Sequence, residues 1–279
     1  MHCVRPKSVD EAARALSVDP TLLPVAGCTD LMVHGGPYET RFDRVIDLLG
    51  IPELTGIRAL DNAVEIGAAT SFSAIGTSPM IRDALPILAE AAKVVGGWQI
   101  QNRATIGGNI ANASPAGDSP PVLLALAAVV IVVGPGGRRE VAYEDFHVGY
   151  RKTALAPGEL IVAVRIAFPR AGSVQRFRKV GTRAAQSISK VVVAMCGRAE
   201  GGQIVAMRIG AGSVAAMPVR LRQAEQASIG NPVGHETAAA AGRAAVEEVR
   251  PIDDVRSTAA YRRHVLNQVI RRMVAEVNA

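Results

Sequence analysis

Residues 103–121 constrain the fold of this chain most, because this segment combines flexible residues with almost no charge. It is rich in glycine, asparagine, serine and proline, and only Arg103 and Asp118 carry charge. Loops with so few charged residues usually pack against another part of the molecule. The sequence therefore predicts a loop with buried contacts at this place.

The elements before this segment alternate between helices and short strands. Ser8 and Glu11 form a capping pair for a first helix over residues 8–15. A strand over residues 22–25 stops before Gly27, and Thr29 or Asp30 could cap the helical turn that follows. Gly27 is thus predicted to lie between a strand and a helix.

The rest of the chain has a mixed pattern. A linker is predicted at 169–173, and Gly201-Gly202 predicts a hairpin between strands at 190–198 and 204–209. Residues 81–95 are predicted to be mainly helical despite Pro86, and the carboxyl third is predicted to be helical. Over 259–277, the arginine pairs, among them Arg262-Arg263, lie opposite an apolar face of Tyr261, Val265, Val269, Met273 and Val277. Further strands are expected at residues 44–48, 63–68, 129–133, 140–143 and 160–166.

Composition excludes several classes of protein. Aromatic residues make up 4% of the chain, too few for a platform that stacks nucleic-acid bases. The net charge of +6 is spread over arginine pairs, which favours a solvated surface or a subunit contact and not nucleic acid. The longest apolar run, 122–133, is too short to span a membrane and predicts a buried helix followed by a strand.

The three cysteines are too far apart in the sequence for a metal cluster. Cys3, Cys28 and Cys196 do not share the short spacing of zinc or iron–sulfur ligands, so no metal is predicted in this chain. They also make a poor disulfide framework, which favours a reducing compartment, with the cytoplasm as the expected location.

Two glycine-containing loops, 24–31 and 104–110, could bind a diphosphate through backbone amides. A diphosphate needs several converging N–H donors with no Cβ in the way. The plainer alternative is that Gly27 ends a strand and Gly107-Gly108 makes a turn. Neither loop matches the Rossmann or P-loop pattern.

Two charged residues have open roles at this stage. The spacing of Asp118 favours a cap on the helix that follows, although its carboxylate could also accept hydrogen bonds from a ribose. Lys179 is either a surface cation or a group that reaches a flavin ring or a phosphate. The five histidines form no ligand-spaced pair and no nucleophile motif is present, so no catalytic residue is predicted.

Taken together, the segments VAGCTDL (25–31) and ATIGGNIANASPAGD (104–118) resemble the FAD-binding subunits and domains of the xanthine dehydrogenase and carbon monoxide dehydrogenase family. The resemblance continues through 149–153, 177–191 and 261–264, so it covers nearly the whole chain. It implies an α+β fold, namely a p-cresol-methylhydroxylase-type FAD-binding domain of two subdomains (about 1–55 and 56–170). A carboxyl-terminal domain of antiparallel strands and helices (174–279) would follow.

The resemblance also implies a cofactor site. The two loops would hold the diphosphate, Asp118 the adenosine ribose, and Ile161 and Lys179 the flavin ring. Cys28 stands where many members have glycine, and Asn112 where some have histidine. The full set implied for FAD is Val25, Ala26, Gly27, Cys28, Thr29, Asp30, Leu31, Ala104, Thr105, Gly107, Gly108, Asn109, Asn112, Asp118, Ile161 and Lys179.

In function, the resemblance implies the flavoprotein subunit of a molybdenum hydroxylase. Electrons would come from a small subunit with two [2Fe–2S] clusters, which would receive them from molybdopterin in a large subunit, and would leave for NAD⁺, a quinone or dioxygen. A dimer of heterotrimers is expected. The alternatives are a self-contained FAD-dependent oxidase or dehydrogenase, and an assembly subunit that has lost FAD.

Overall fold

The computed structural model describes residues 2–34, 42–183 and 186–277. Positions 1 and 279, the outer limits of the predicted domains, lie outside these ranges, as do 35–41, 184–185 and 278. In the described residues the predicted α+β class is confirmed, with two sheet-based subdomains followed by a carboxyl-terminal domain of antiparallel strands and helices.

The amino-terminal subdomain is a parallel three-stranded sheet in the order β1-β3-β2. As predicted, Ser8 caps α1, since its Oγ accepts from the Glu11 amide at 3.2 Å, and Ala12 and Leu16 are buried. Parallel pairing places the loop after β2 at the carboxyl edge of the sheet, where α/β proteins commonly bind ligands. The elements are β1 (His2–Val4), α1 (Val9–Val18), β2 (Leu23–Val25), α2 (Thr29–His34) and β3 (Arg44–Asp47).

The second subdomain is built on a five-stranded antiparallel sheet in the order β4-β5-β10-β6-β7. The turn between β6 and β7 is Pro135-Gly136, so β7 begins before the predicted start at 140 and includes Arg138 and Arg139. The strands are β4 (Ile57–Leu60), β5 (Ala63–Gly67), β6 (Val129–Gly134), β7 (Gly137–Ala142) and β10 (Leu160–Ala167), with a small hairpin of β8 (His147–Gly149) and β9 (Lys152–Thr153).

Helices cover the inner face of this sheet. Residues 81–95 are mainly helical, as predicted, but they belong to two helices. Pro86 starts the second, because proline fits the first turn where its missing N–H is not needed. The predicted loop 103–121 contains α7 and the start of α8. The helices are α3 (Phe72–Thr77), α4 (Pro79–Ala84), α5 (Pro86–Val94), α6 (Trp98–Arg103), α7 (Ile106–Asn112), α8 (Ser119–Ala125) and α9 (Tyr143–Phe146), preceded by a 3-10 turn (Pro52–Leu54).

The carboxyl-terminal domain packs three helices on a four-stranded antiparallel sheet. The hairpin predicted at Gly201-Gly202 is confirmed, and both glycines have positive φ, 56° and 80°, as a two-residue type I′ turn requires. β11 was not predicted. The elements are β11 (Val174–Val180), β12 (Val191–Glu200), β13 (Gln203–Gly212), β14 (Val219–Arg220), α10 (Arg222–Ser228), α11 (His235–Glu248) and α12 (Ala259–Ala275).

The predicted faces of α12 need correction. Tyr261, assigned to the apolar face, is 43% exposed, whereas Arg262, assigned to the opposite face, is 4% exposed. Arg262 tolerates burial because its guanidinium donates to the carbonyls of Lys190 and Ser213 and to the Asp254 carboxylate, at 2.8–2.9 Å. The core face of the helix includes Leu266 and Ile270.

Helix α8 joins the second subdomain to the carboxyl-terminal domain. A Cβ built on Gly210 of β13 would lie 2.9 Å from Leu124 Cβ and closer still to the Pro121 carbonyl oxygen, so the helix backbone rests directly on the strand. Beside it, Glu144 pairs with Arg208, Arg220 and Arg222 at 3.5, 2.9 and 3.0 Å. We call these four residues the Glu144 cluster.

Candidate functional site

The first loop, residues 25–31, runs from β2 into α2 and is half-buried throughout. The amides of Gly27, Cys28 and Thr29 find no acceptor in the part of the chain that the structure describes. The helix begins at Thr29, so neither Thr29 nor Asp30 precedes it as an N-cap residue does. Three half-buried amides that donate to no acceptor among the described residues are suited to an anionic ligand.

Cys28 gives the loop its bend, since its φ of 60° lies in the left-handed region that glycine adopts at lower cost. Its Sγ donates to the Ala26 carbonyl at 3.3 Å. Burial raises the pKa of the Cys28 thiol above its ordinary value. Cys28 therefore stays uncharged at neutral pH and does not repel an anion bound at the adjacent amides.

Gly27 brings the two predicted segments together. A Cβ built on Gly27 would lie 2.6 Å from the Arg103 carbonyl carbon, 3.1 Å from Ala104 Cα, and closer still to the Arg103 oxygen. Only glycine allows this approach of the first loop to the residues just before Thr105. Segments 77 positions apart thus meet at one place, as the resemblance requires.

The second segment differs from its prediction in one respect. Residues 106–112 form α7, with Thr105 as N-cap, and the amides of this turn already have acceptors within the protein. Ile106 donates to the Thr70 carbonyl at 3.1 Å, Gly107 to Ala68 at 2.8 Å and Gly108 to Thr105 Oγ1 at 3.1 Å. The prediction of free amides is therefore wrong for these three residues.

Gly107 is required for packing. A Cβ on Gly107 would lie 2.6 Å from Ala68 Cβ and 2.8 Å from its carbonyl oxygen, so α7 is seated against the end of β5. At the same helix, the Asn109 carboxamide oxygen accepts from Ser119 Oγ at 2.7 Å, which links α7 to α8. The second segment is a rigid platform beside the first loop.

Asp118 and Lys179 form a buried ion pair. Lys179 Nζ donates to Asp118 Oδ2 at 2.6 Å and to the Val94 carbonyl at 3.0 Å, and the side chains are only 6% and 10% exposed. Burial raises the pKa of Asp118, and the Lys179 charge and hydrogen bonds from Lys179 and Ser189 offset this only in part. Asp118 stands at the N-cap position of α8 but makes no capping hydrogen bond, so the capping prediction is wrong.

Arg151 ties the hairpin β8–β9 to both segments, a link that the sequence did not reveal. Its guanidinium donates to Asn112 Oδ1 at 2.8 Å and lies 3.9 Å from Asp30 Oδ2. The only signal was the motif around Arg151, which had no assigned role. Its φ of 50° aims the side chain from a tight turn.

Ile161 lies apart from these polar groups. It sits in β10 next to a β-bulge and is 6% exposed, packed in the core of the second subdomain. Its contact with a flavin ring stays a prediction.

A cleft of about 800 Å³ lies elsewhere. It lies between α1 and the five-stranded sheet and contains none of the predicted site residues, although Val162 and Ala163 on its floor are neighbours of Ile161. The candidate site rests instead on polar geometry: first-loop amides that no described residue accepts from, a glycine contact that a Cβ would fill, and a buried ion pair. These groups fit an anionic, hydroxyl-bearing ligand such as a dinucleotide.

Two family models cover the chain. Residues 1–169 match the FAD binding domain in molybdopterin dehydrogenase, and residues 176–277 match the CO dehydrogenase flavoprotein C-terminal domain. In the described part of the chain no helix is long and apolar enough to cross a membrane.

Individual relatives align over more than nine-tenths of their length. The carbon monoxide dehydrogenase medium chain of Hydrogenophaga pseudoflava is 32% identical over 279 residues, covering 96% of this chain and 93% of the relative. The xanthine dehydrogenase FAD-binding subunit of Escherichia coli O157:H7 is 29% identical over 277 residues, covering 99% and 95%. A solved structure of the carbon monoxide dehydrogenase of H. pseudoflava superposes with a TM-score of 0.95 at 32% identity, covering 100% of this chain and 98% of that one.

Proposed function

The chain belongs to the family of FAD-binding subunits of molybdopterin dehydrogenases, and from this we propose that it passes electrons from an iron–sulfur subunit to an external acceptor. It is thus an FAD-carrying subunit of an oxidoreductase, and the resemblance predicted from the two segments is confirmed. The observation that carries the proposal is the contact of Gly27 with the Arg103 carbonyl, which joins the two segments.

FAD, when bound, supplies the redox chemistry, so the protein needs only to hold, orient and tune it. We assign the diphosphate to the amides of the first loop, held against the platform at 104–109. The loop members assigned to this contact are Val25, Ala26, Gly27, Cys28, Thr29, Asp30 and Leu31. Asn112, whose side chain Arg151 holds by a hydrogen bond, is assigned to the same site.

Asp118 and Lys179 take different parts of the cofactor in this proposal. Asp118 would accept from the adenosine ribose, although its two oxygens already accept from Lys179 and Ser189. Each carboxylate oxygen has two lone pairs, so a ribose hydroxyl can be added without breaking either bond. Lys179 would place its charge, and Ile161 its apolar side chain, toward the flavin ring.

For the assembly, we propose a small subunit with [2Fe–2S] clusters and a large molybdopterin subunit, arranged as a dimer of heterotrimers in the cytoplasm. The relatives described as medium chain and FAD-binding subunit favour this assignment. We divide the chain at the linker, into 1–170, with subdomains about 1–55 and 56–170, and 174–279. That division is favoured because β10 ends at Ala167 and β11 begins at Val174.

The proposal is tested by reducing the FAD-loaded chain anaerobically and mixing it in a stopped-flow instrument with NAD⁺, a quinone or dioxygen. Rapid reoxidation by at least one of them is expected, and reaction with none would contradict the electron-exit role. Direct reduction of the isolated chain by an alcohol or amine would favour the self-contained oxidase. A chain that cannot be loaded with FAD would favour the assembly subunit.

A further inference from the structure

The carboxyl-terminal domain reaches into the candidate site through Ser189. This residue lies just before β12 and is 1% exposed. Its Oγ is 3.1 Å from Asp118 Oδ1 and 3.1 Å from the Ala116 carbonyl. Since one hydroxyl proton serves both acceptors, Ser189 fixes the Asp118 side chain relative to the backbone of its own loop.

A second serine holds Ser189. Ser213 Oγ donates to the Ser189 carbonyl at 2.9 Å, and the Ser213 amide donates to the Pro115 carbonyl at 2.8 Å. Ser189, just before β12, and Ser213, just after β13, therefore hold the loop 115–118 by hydrogen bonds. Lys179 of β11 donates a further hydrogen bond to Asp118.

Arg262 closes the chain of hydrogen bonds and gives a role to the motif at 261–264. From α12 its Nη1 donates to the carbonyl of Ser213 and to the carbonyl of Lys190, the residue after Ser189. The buried guanidinium thus fixes the backbone on which Ser189 and Ser213 are carried. A continuous series of contacts runs from Arg262 through Ser213 and Ser189 to Asp118.

We propose that Ser189, backed by Ser213 and Arg262, is a positioning residue that orients the Asp118 carboxylate, and with it the Lys179 ammonium, for FAD. This rests on the proposed function, because it takes Asp118 as an FAD-binding group. It also gives the carboxyl-terminal domain a part in the cofactor site. Among the described residues, both side chains that donate to the Asp118 carboxylate, Lys179 and Ser189, belong to that domain.

The test uses the full chain freed of FAD, with Ser189→Ala as the main variant and Ser228→Ala as the matched control. Ser228 is also buried in the carboxyl-terminal domain, but its Oγ donates only to Ala224 of its own helix, at 2.8 Å. We expect Ser189→Ala to raise the Kd for FAD roughly tenfold, the size of one hydrogen bond to a charged group. Ser228→Ala should leave the Kd unchanged.

Two further readouts separate positioning from loss of stability. The Ser189 hydroxyl helps to lower the pKa of Asp118, so in Ser189→Ala the acid limb of FAD affinity should move to higher pH. The visible circular dichroism of bound FAD should change as well. Ser213→Ala, which leaves the Ser189 hydroxyl in place, should give smaller changes in the same direction and serves if Ser189→Ala does not fold.

The outcomes distinguish this inference from the proposed function. The positioning role alone would be overturned if Ser189→Ala and Ser213→Ala kept the wild-type Kd, pH profile and circular dichroism while Asp118→Asn bound FAD more weakly. Failure of the wild-type chain to bind FAD, or no effect of Asp118→Asn, would instead overturn the assignment of the site.

Discussion

The Asp118–Lys179 pair and the Glu144 cluster both join the FAD-binding part of the chain to the carboxyl-terminal domain, and they are built in different ways. Asp118 and Lys179 form a single pair that is almost fully buried. In the Glu144 cluster one carboxylate meets three arginines, and the exposed fractions of its side chains run from 17% to 60%. Both are carboxylate–cation contacts across the same domain boundary, yet water reaches only one of them.

This difference reverses the effect of each carboxylate on stability. Burial raises the pKa of Asp118, so the folded state holds that charge at a cost. Burial also opposes ionisation of Glu144, but the hydrogen bond from Arg220 and the charges of Arg208 and Arg222 outweigh it and lower the pKa. The Glu144 cluster therefore stabilises the domain contact, whereas the Asp118–Lys179 pair is the kind of costly arrangement that functional sites retain.

The largest expected effect separates binding from stability at Asp118. Asp118→Asn should weaken FAD binding by ~1–3 kcal/mol, because a charged acceptor is removed from a buried site. Asn also leaves the buried Lys179 ammonium without a charged partner. The free energy of unfolding without FAD is therefore measured beside the affinity, so that a loss of stability is not taken for a loss of binding. Calorimetric titration with FAD and urea unfolding measure the two quantities. Unchanged FAD affinity would break the comparison.

Glu144→Gln should give the complementary result. We expect the free energy of unfolding to fall by about 1–2 kcal/mol, because three arginines lose a charged partner in a partly exposed cluster. FAD affinity should not change, and the exposed Glu247→Gln serves as the control for loss of one negative charge. A loss of FAD affinity without a loss of stability would assign the cluster to the cofactor site.

The smallest effect is a difference in the response to acid. Glu144 has a lowered folded pKa, so its stabilisation is complete above its ordinary value of 4.5 and is lost as pH falls through the folded value. The gap in unfolding free energy between wild type and Glu144→Gln should close over that range. For Asp118, whose pKa is raised, wild type should gain relative to Asp118→Asn as pH falls. Urea unfolding at several pH values measures these differences. If the unfolding free energy of wild type changed in the same direction relative to both variants as pH falls, the comparison would be wrong.

Local signals were sufficient to predict much of the fold. The Ser8 cap, the Gly201-Gly202 hairpin and the apolar run that became α8 and β6 each depend on neighbouring residues. The strand β11 was missed because its alternation is weak and its partner β12 begins more than ten residues later. The helix α7 was missed because glycine and asparagine disfavour helix, and its packing on Ala68 lies outside the segment.

The site itself depended on contacts between distant parts of the sequence. Asp118 had the spacing of a helix cap, but Lys179, 61 positions away, and Ser189, 71 positions away, take its carboxylate instead. Arg262 had the pattern of a surface residue because two of its three acceptors are backbone carbonyls, which the sequence does not reveal. The family resemblance assigned Asp118 and Lys179 to the cofactor, but it gave no role to Ser189 or Arg151.

The most direct test of the central claim is FAD titration of three chains: wild type, Gly27→Ala and Gly50→Ala. The claim is that the two segments form one FAD site because Gly27 lets them touch, and a Cβ at Gly50 would meet nothing within 4 Å. Wild type and Gly50→Ala should each bind one FAD per chain, whereas Gly27→Ala should bind it far more weakly or not at all. Full FAD binding by Gly27→Ala, or none by wild type, would contradict the account.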